Sequence, residues 1–163
     1  MMRGNFGRAG FAAILLAAFA VAGCASKPTE PDQAGMAAAA PGSPQEFVVS
    51  VGDRVFFETD STELTPQARE TLDKQAQWLQ TYNHYTFTIE GHADERGTRE
   101  YNIALGARRA QAVRDYLSAR NIKPTRMRTI SYGKERPVAV CDNISCWSQN
   151  RRAVTVLNAA GST

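Results

Sequence analysis

Between Thr86 and Leu117 the chain reads TFTIEGHADERGTREYNIALGARRAQAVRDYL, and the residues able to do chemistry crowd into that stretch. Asp94 sits in a short polar segment bounded by glycines, and Arg109 lies further on in a run with helical periodicity. An aspartate offers a carboxylate to a cation, while an arginine held rigidly presents a planar fork suited to a carboxylate. Held apart, the two match a ligand that carries an ammonium and a carboxylate on one carbon. Asn102 and Arg109 are seven residues apart, so they share a helix face, whereas Arg108 points elsewhere. Spacing alone favours a plainer arrangement, in which Asp94 and Arg109 pair with each other or cap the helix.

The elements that must position these groups follow from periodicity. Tyr85, Phe87 and Ile89 alternate with Thr86, Thr88 and Glu90, giving a strand with one apolar face that delivers Gly91 to Gly97 to an edge of the fold. A helix follows from about Thr98 to Arg120, with Leu105, Ala112, Val113, Tyr116 and Leu117 as its core stripe; Asn121 and Pro124 stop it. With Leu105 to Ala112 toward the sheet, Asn102 and Arg109 flank that stripe. Upstream, Phe47 to Phe57 is β-branched and aromatic and broken at Gly52-Asp53, which reads as two short strands. Thr65 and Pro66 make an N-cap and first turn for a helix to about Tyr82, with Ala68, Leu72, Gln75, Ala76 and Leu79 on its inner face. Thr129 to Tyr132 and Arg152 to Leu157 are further strands, with one helical turn over Cys146 to Asn150 between them. The order β-α-β-α-β-(α)-β predicts a two-layer α/β sandwich with two main helices on one face of a mixed sheet.

Composition divides the 163 residues into a leader, a linker and one domain. Met1 to Arg8 carries two arginines and no acid, and the fourteen residues Ala9 to Ala22 form an uncharged apolar run. That run is too short for an ordinary spanning helix of about 20 residues and suits the core of an export signal. It ends Val21-Ala22-Gly23-Cys24, which resembles the bacterial lipobox; the other reading is an ordinary signal with an incidental cysteine. Residues 1–23 are thus expected to be removed, leaving Cys24 as the lipidated first residue. Ala25 next to it lacks the Asp that resemblance associates with inner-membrane retention, which points to the outer membrane. Residues 24–45 contain four prolines and almost no large apolar side chain, so they read as a disordered tether. Residues 46–158 form the domain, and 159–163 a short tail. The formal charge of +3 falls to about +1 without Arg3 and Arg8, too little to suggest nucleic acid as a partner.

Gly91 to Val113, GHADERGTREYNIALGARRAQAV, resembles the signature of OmpA-like peptidoglycan-binding domains, especially those of the peptidoglycan-associated lipoproteins. VFFETDS at Val55–Ser61, SYGKERP at Ser131–Pro137 and NRRAV at Asn150–Val154 resemble the same family, so the likeness runs from Val55 to Leu157. It implies a non-covalent wall-binding protein of the Tol-Pal system, with roles in envelope integrity and cell division. It assigns Asp94 and Arg109 to the ammonium and carboxylate of meso-diaminopimelate in the wall stem peptide. Phe57, Glu58 and Thr59 match the family segment that lends backbone contacts, Asn102 its helix asparagine, and Arg151 its NRR motif. Peptidoglycan, TolB and other Tol proteins are the implied partners, with an outer-membrane lipid anchor and the domain facing the periplasm. Glu58 stands where the family often has Asp, Arg99 where many members have Pro, and Ala93 where Thr is commoner.

In that oxidising compartment Cys141 and Cys146 are expected to form a disulfide. The chain holds two histidines, His84 and His92, with no ligand cluster around them, so neither a metal site nor another cofactor is expected. A wall-cleaving enzyme is the rival class. His92 beside Asp94 and Glu95 invites that reading, but neighbouring loop carboxylates rarely flank one scissile bond, and His92 reads as a loop residue bonded to backbone. An envelope adaptor without a wall ligand, its Asp94 and Arg109 joined internally, is the third possibility.

Overall fold

The computed structural model describes residues 39–158. The expected signal, the lipobox Cys24, most of the tether and the 159–163 tail lie outside them. The chain opens with a single helical turn, α1 (Pro44–Glu46), continuing as a π-helical turn over Phe47–Gly52. Then come β1 (Arg54–Phe56), α2 (Pro66–Thr81), β2 (Phe87–His92), α3 (Arg99–Ser118), a 3₁₀ turn at Pro124–Arg126, β3 (Met127–Gly133), α4 (Ile144–Asn150) and β4 (Arg152–Leu157). The sheet order is β1-β4-β2-β3. β4 runs antiparallel to both β1 and β2, while β2 and β3 are parallel, joined by the helical crossover that parallel neighbours require. Both long helices pack on one face: Gln75 of α2 accepts from Thr155 of β4 at 2.9 Å, and Ser131 of β3 donates to the Ile103 carbonyl of α3 at 2.7 Å. The architecture is the mixed two-layer sandwich that the periodicities predict.

One element departs from expectation. Phe47 to Gly52 is helical, not a strand. Its β-branched residues favour a strand, yet tertiary contacts override so weak a preference. Ser43 caps the turn by accepting from the Glu46 amide at 3.1 Å, and the Glu46 carboxylate receives both Trp78 Nε1 and the Gly42 amide at 2.7 Å. Phe47 is thereby driven under α2, its ring centroid 4.9 Å from that of Trp78, while Val48 and Val49 remain at the surface. The same contacts move the expected end of the tether at Gln45. The Tyr85 hydroxyl donates to the Gly42 carbonyl at 2.8 Å, so the last residues before 46 are held by the domain.

The caps form where the sequence places them. Thr65 accepts from the Ala68 amide at 3.1 Å to start α2, and Thr98 accepts from Tyr101 at 3.2 Å to start α3. Asn121, at φ 63, reverses the chain after α3, and the Ile122 amide returns to the Leu117 carbonyl at 3.2 Å. The core stripe of α3 is rolled from the expected one. Gly106, Ala110, Val113 and Leu117 are buried with Asn102, Leu105 and Arg109, whereas Ala112 and Tyr116 lie at the margin. The cause is a backbone-to-backbone contact between β2 and α3. A Cβ on Gly91 would lie 1.8 Å from the Gly106 carbonyl oxygen, and one on Gly106 would lie 2.8 Å from the Gly91 carbonyl oxygen. Only two facing glycines allow this approach, and it turns the face carrying Asn102 and Arg109 inward.

This contact predicts an inverted glycine effect. In an exposed helix Gly→Ala gains about 1 kcal/mol, but Gly106→Ala should destabilise the domain by about 1–3 kcal/mol through overpacking. A lower urea midpoint at unchanged m-value checks it; an unchanged or raised midpoint refutes the contact.

Candidate functional site

β2 ends at His92 against the α3 N-terminus, and the connecting loop carries Asp94. The Asp94 side chain is 9% exposed and fully engaged. Arg96 reaches it twice, Nη2 to Oδ2 at 2.7 Å and Nε to Oδ1 at 3.1 Å, while the Arg96 amide donates to Oδ1 at 3.2 Å. Arg151 Nη1 approaches Oδ2 at 3.4 Å. Burial raises the Asp94 pKa, but the Arg96 and Arg151 contacts outweigh it and hold the carboxyl below its ordinary value. Asp94 is a carboxylate at neutral pH.

Arg109 is completely buried, not flanking the core as its helix position suggests. Nη1 donates to the His92 carbonyl at 2.8 Å, Nε to Ser61 at 3.0 Å and Nη2 to Glu58 at 3.2 Å. The Phe57 ring lies 5.1 Å beneath the guanidinium carbon. A guanidinium has five N–H donors, so one N–H on each terminal nitrogen remains uncommitted. Burial lowers the Arg109 pKa to about 10, with Arg151 contributing, and the group is still a cation at pH 7. Among the described residues no carboxylate forms a salt bridge with it. Asp94 and Arg109 therefore do not pair with each other, contrary to what spacing alone favours. Asp94 is held by other arginines, and Arg109 by neutral carbonyls.

Both groups line one open cleft of about 320 Å³, together with Thr59, Asp60, Arg96 and Tyr101. Asn102 also lines it, but its amide is spent on the Arg96 carbonyl at 2.7 Å and so shapes the loop. Phe57, Glu58 and Arg151 open onto a second groove of about 600 Å³. Arg151 joins the loops: its Nε donates to the Phe57 carbonyl at 3.0 Å, and its own carbonyl accepts from the Phe57 amide at 2.9 Å. Glu58 contributes only its carbonyl to Arg109 and leaves its side chain exposed. Arg96, Asp60 and Tyr101 escaped the sequence reading. Arg96 had a local signal, because an aspartate commonly accepts from the amide two residues on. Asp60, which accepts from the Tyr101 hydroxyl, comes from a remote segment and had none.

Cys141 and Cys146 are joined by a disulfide at a Cα separation of 5.7 Å. His92 differs from expectation. Its ring is buried and stacked on Tyr132 at 5.6 Å, and neither ring nitrogen has a hydrogen-bond partner. Only its carbonyl serves the site, through Arg109. Among the described residues no group of His, Cys, Asp and Glu is placed to hold a metal.

The OmpA family profile matches residues 56–153. A peptidoglycan-associated lipoprotein of Rhizobium meliloti (strain 1021) is 66% identical over 153 residues, covering 91% of this chain and 87% of that protein. One from Brucella melitensis is 61% identical over 162 residues, covering 96% of each. Among solved structures, the peptidoglycan-associated lipoprotein of Burkholderia pseudomallei superposes with a TM-score of 0.67 at 39% identity, over 71% of this chain and all of that one. The C-terminal domain of Helicobacter pylori MotB, at 21% identity and a TM-score of 0.62 over 67% of this chain and 86% of that one, shares the fold.

Burial, followed by the charges of Arg152 and Arg136, lowers the His92 pKa from 6.5 to about 4. The unfolded chain thus holds more protons than the native one between these values, so stability falls as pH drops through that window. The loss between pH 7 and pH 5 should be about 2 kcal/mol, read as a shift in urea midpoint. His92→Phe should flatten the profile there; an equally steep profile in the variant would assign the effect elsewhere.

Proposed function

The chain belongs to the OmpA family and, within it, to the peptidoglycan-associated lipoproteins, and from that membership we propose that it binds the cell wall without cleaving it. It is an envelope lipoprotein and a binding module, not an enzyme. The ligand is the meso-diaminopimelate of the peptidoglycan stem peptide. Its ammonium is taken by Asp94, and its carboxylate by the two uncommitted N–H groups of Arg109. Thr59 borders the ligand, the Glu58 carbonyl and the Phe57 ring hold Arg109 in place, and Asn102 and Arg151 hold the loops that shape the cleft. The observation that carries this reading is that a carboxylate and a cation face one open cleft with no bond between them. A neutral ligand gives the Arg109 cation no counter-charge and Asp94 nothing in exchange for Arg96, whereas a zwitterionic centre answers both.

Residues 1–23 then act as the export signal, Cys24 carries the lipid, and the following linker ties the domain to the outer membrane from its periplasmic side. Several acyl chains at about 0.8 kcal/mol per buried CH₂ hold such an anchor firmly. No helix among the described residues is long and apolar enough to cross a membrane. TolB and other Tol proteins are the proposed protein partners, with the wall link contributing to envelope integrity and cell division.

Sedimentation with purified sacculi tests the pocket. Asp94→Asn keeps the shape and removes the charge, and should weaken binding by roughly 30–150-fold, the worth of about 2–3 kcal/mol for a charged hydrogen bond. Arg109→Lys keeps a charge but not the fork that reaches three carbonyls and a ligand, and should lose binding as well, with circular dichroism reporting whether the fold survives. Full retention by a folded Asp94→Asn would end the assignment. For the anchor, Cys24→Ala should abolish incorporation of radiolabelled palmitate in cells; continued labelling would place the lipid elsewhere.

A further inference from the structure

Asp94 already holds a cation. The Arg96 guanidinium covers it with two bonds at 2.7 and 3.1 Å, at the carboxylate assigned above to the ligand's ammonium. We propose that Arg96 is a built-in competitor for that ammonium: the ligand must displace it from Asp94 to bind, and the displacement lowers the site's affinity. The inference rests on the zwitterion reading of the cleft.

Three observations support it. First, Asp94 is 9% exposed with Arg96 in place, whereas the Arg96 side chain is 41% exposed and has solvent to swing into. Second, the loop backbone is pinned on both sides of Arg96. Asn102 donates to the Arg96 carbonyl at 2.7 Å, and Lys134 Nζ donates to the carbonyls of Glu95 at 3.1 Å and Gly97 at 2.7 Å. Exchange is therefore a side-chain rotation, with no opening of the loop. Third, Arg96 has a second support: its guanidinium carbon stands 4.1 Å over the Trp147 ring. Trp147 in turn donates to Glu95, and it follows Cys146, whose disulfide to Cys141 clamps the start of α4. An aromatic face attracts a guanidinium by about 0.5–1 kcal/mol at an exposed site, so Arg96 released from Asp94 keeps a place to rest.

A competitor of this kind sets what a ligand must offer Asp94 in exchange. A primary ammonium brings a compact charge and three donors to Asp94 and can replace what Arg96 gives up. An acylated amine brings one neutral donor and cannot. Displacing Arg96 costs both ligands the same, so Asp94 makes the discrimination and Arg96 lowers the affinity for both.

The test is calorimetric titration of the full chain with a stem tripeptide ending in meso-diaminopimelate, and with the same peptide acetylated on the side-chain amine. Removing the ion pair that the ligand must break should make Arg96→Ala bind the free-amine peptide about 2–5-fold more tightly than the wild type. The acetylated peptide should gain by no more than the same factor, so the preference for the free amine is kept. Unchanged or weaker binding by Arg96→Ala overturns the proposal and makes Arg96 a bystander or a direct ligand contact. Asp94→Asn separates the two levels: if it binds as tightly as the wild type, the zwitterion reading itself fails. If it weakens while Arg96→Ala gains nothing, only the competitor fails.

Discussion

The buried guanidinium of Arg109 is the constraint around which this domain is arranged. A charge removed from water is costly unless its donors find acceptors, and here three of its N–H groups go to carbonyls of Glu58, Ser61 and His92. Two belong to the loop after β1 and one to the end of β2, so ordering these segments and ligating the cation are one event. None of the three carries a formal charge. The arrangement holds the cation in place without neutralising it, and a cleft walled by such a group favours an anion.

Three arginines converge on Asp94 or its surroundings: Arg96 and Arg151 touch it, and Arg109 shares its cleft. The bonds from Arg96 and Arg151 explain why Asp94 stays ionised despite burial. It also separates the roles of the arginines. Arg151 is locked to the Phe57 backbone and Arg109 to three carbonyls, whereas Arg96 alone is substantially exposed.

Much of this was legible in the chain. Thr65-Pro66 marks a helix start through capping chemistry, which is local, and alternation in β2 fixes which residues face the helices. Asp94 and Arg109 were legible as a charge pair of opposite sign near one turn. That they avoid each other was not, because it depends on Arg96, on Arg151 from the far end of the chain and on carbonyls from another loop. The roll of α3 was equally hidden: two glycines in contact across a layer look the same in sequence as two glycines that are merely tolerated. Phe47–Gly52 misled for the complementary reason, since its local preference was real but Trp78 and Glu46 decided against it.

The bond between Tyr85 and the Gly42 carbonyl sets a length scale for the whole envelope assembly. Among the described residues Gly42 is the earliest to bond to the rest of the fold, so if the proposed lipid sits on Cys24 the segment between them spans at most about 65 Å when drawn straight. On the proposed reading, the wall then lies within that span plus the width of the domain when both ends are engaged at once. Lengthening or shortening the leash would retune the gap between membrane and wall without touching a single residue that recognises either.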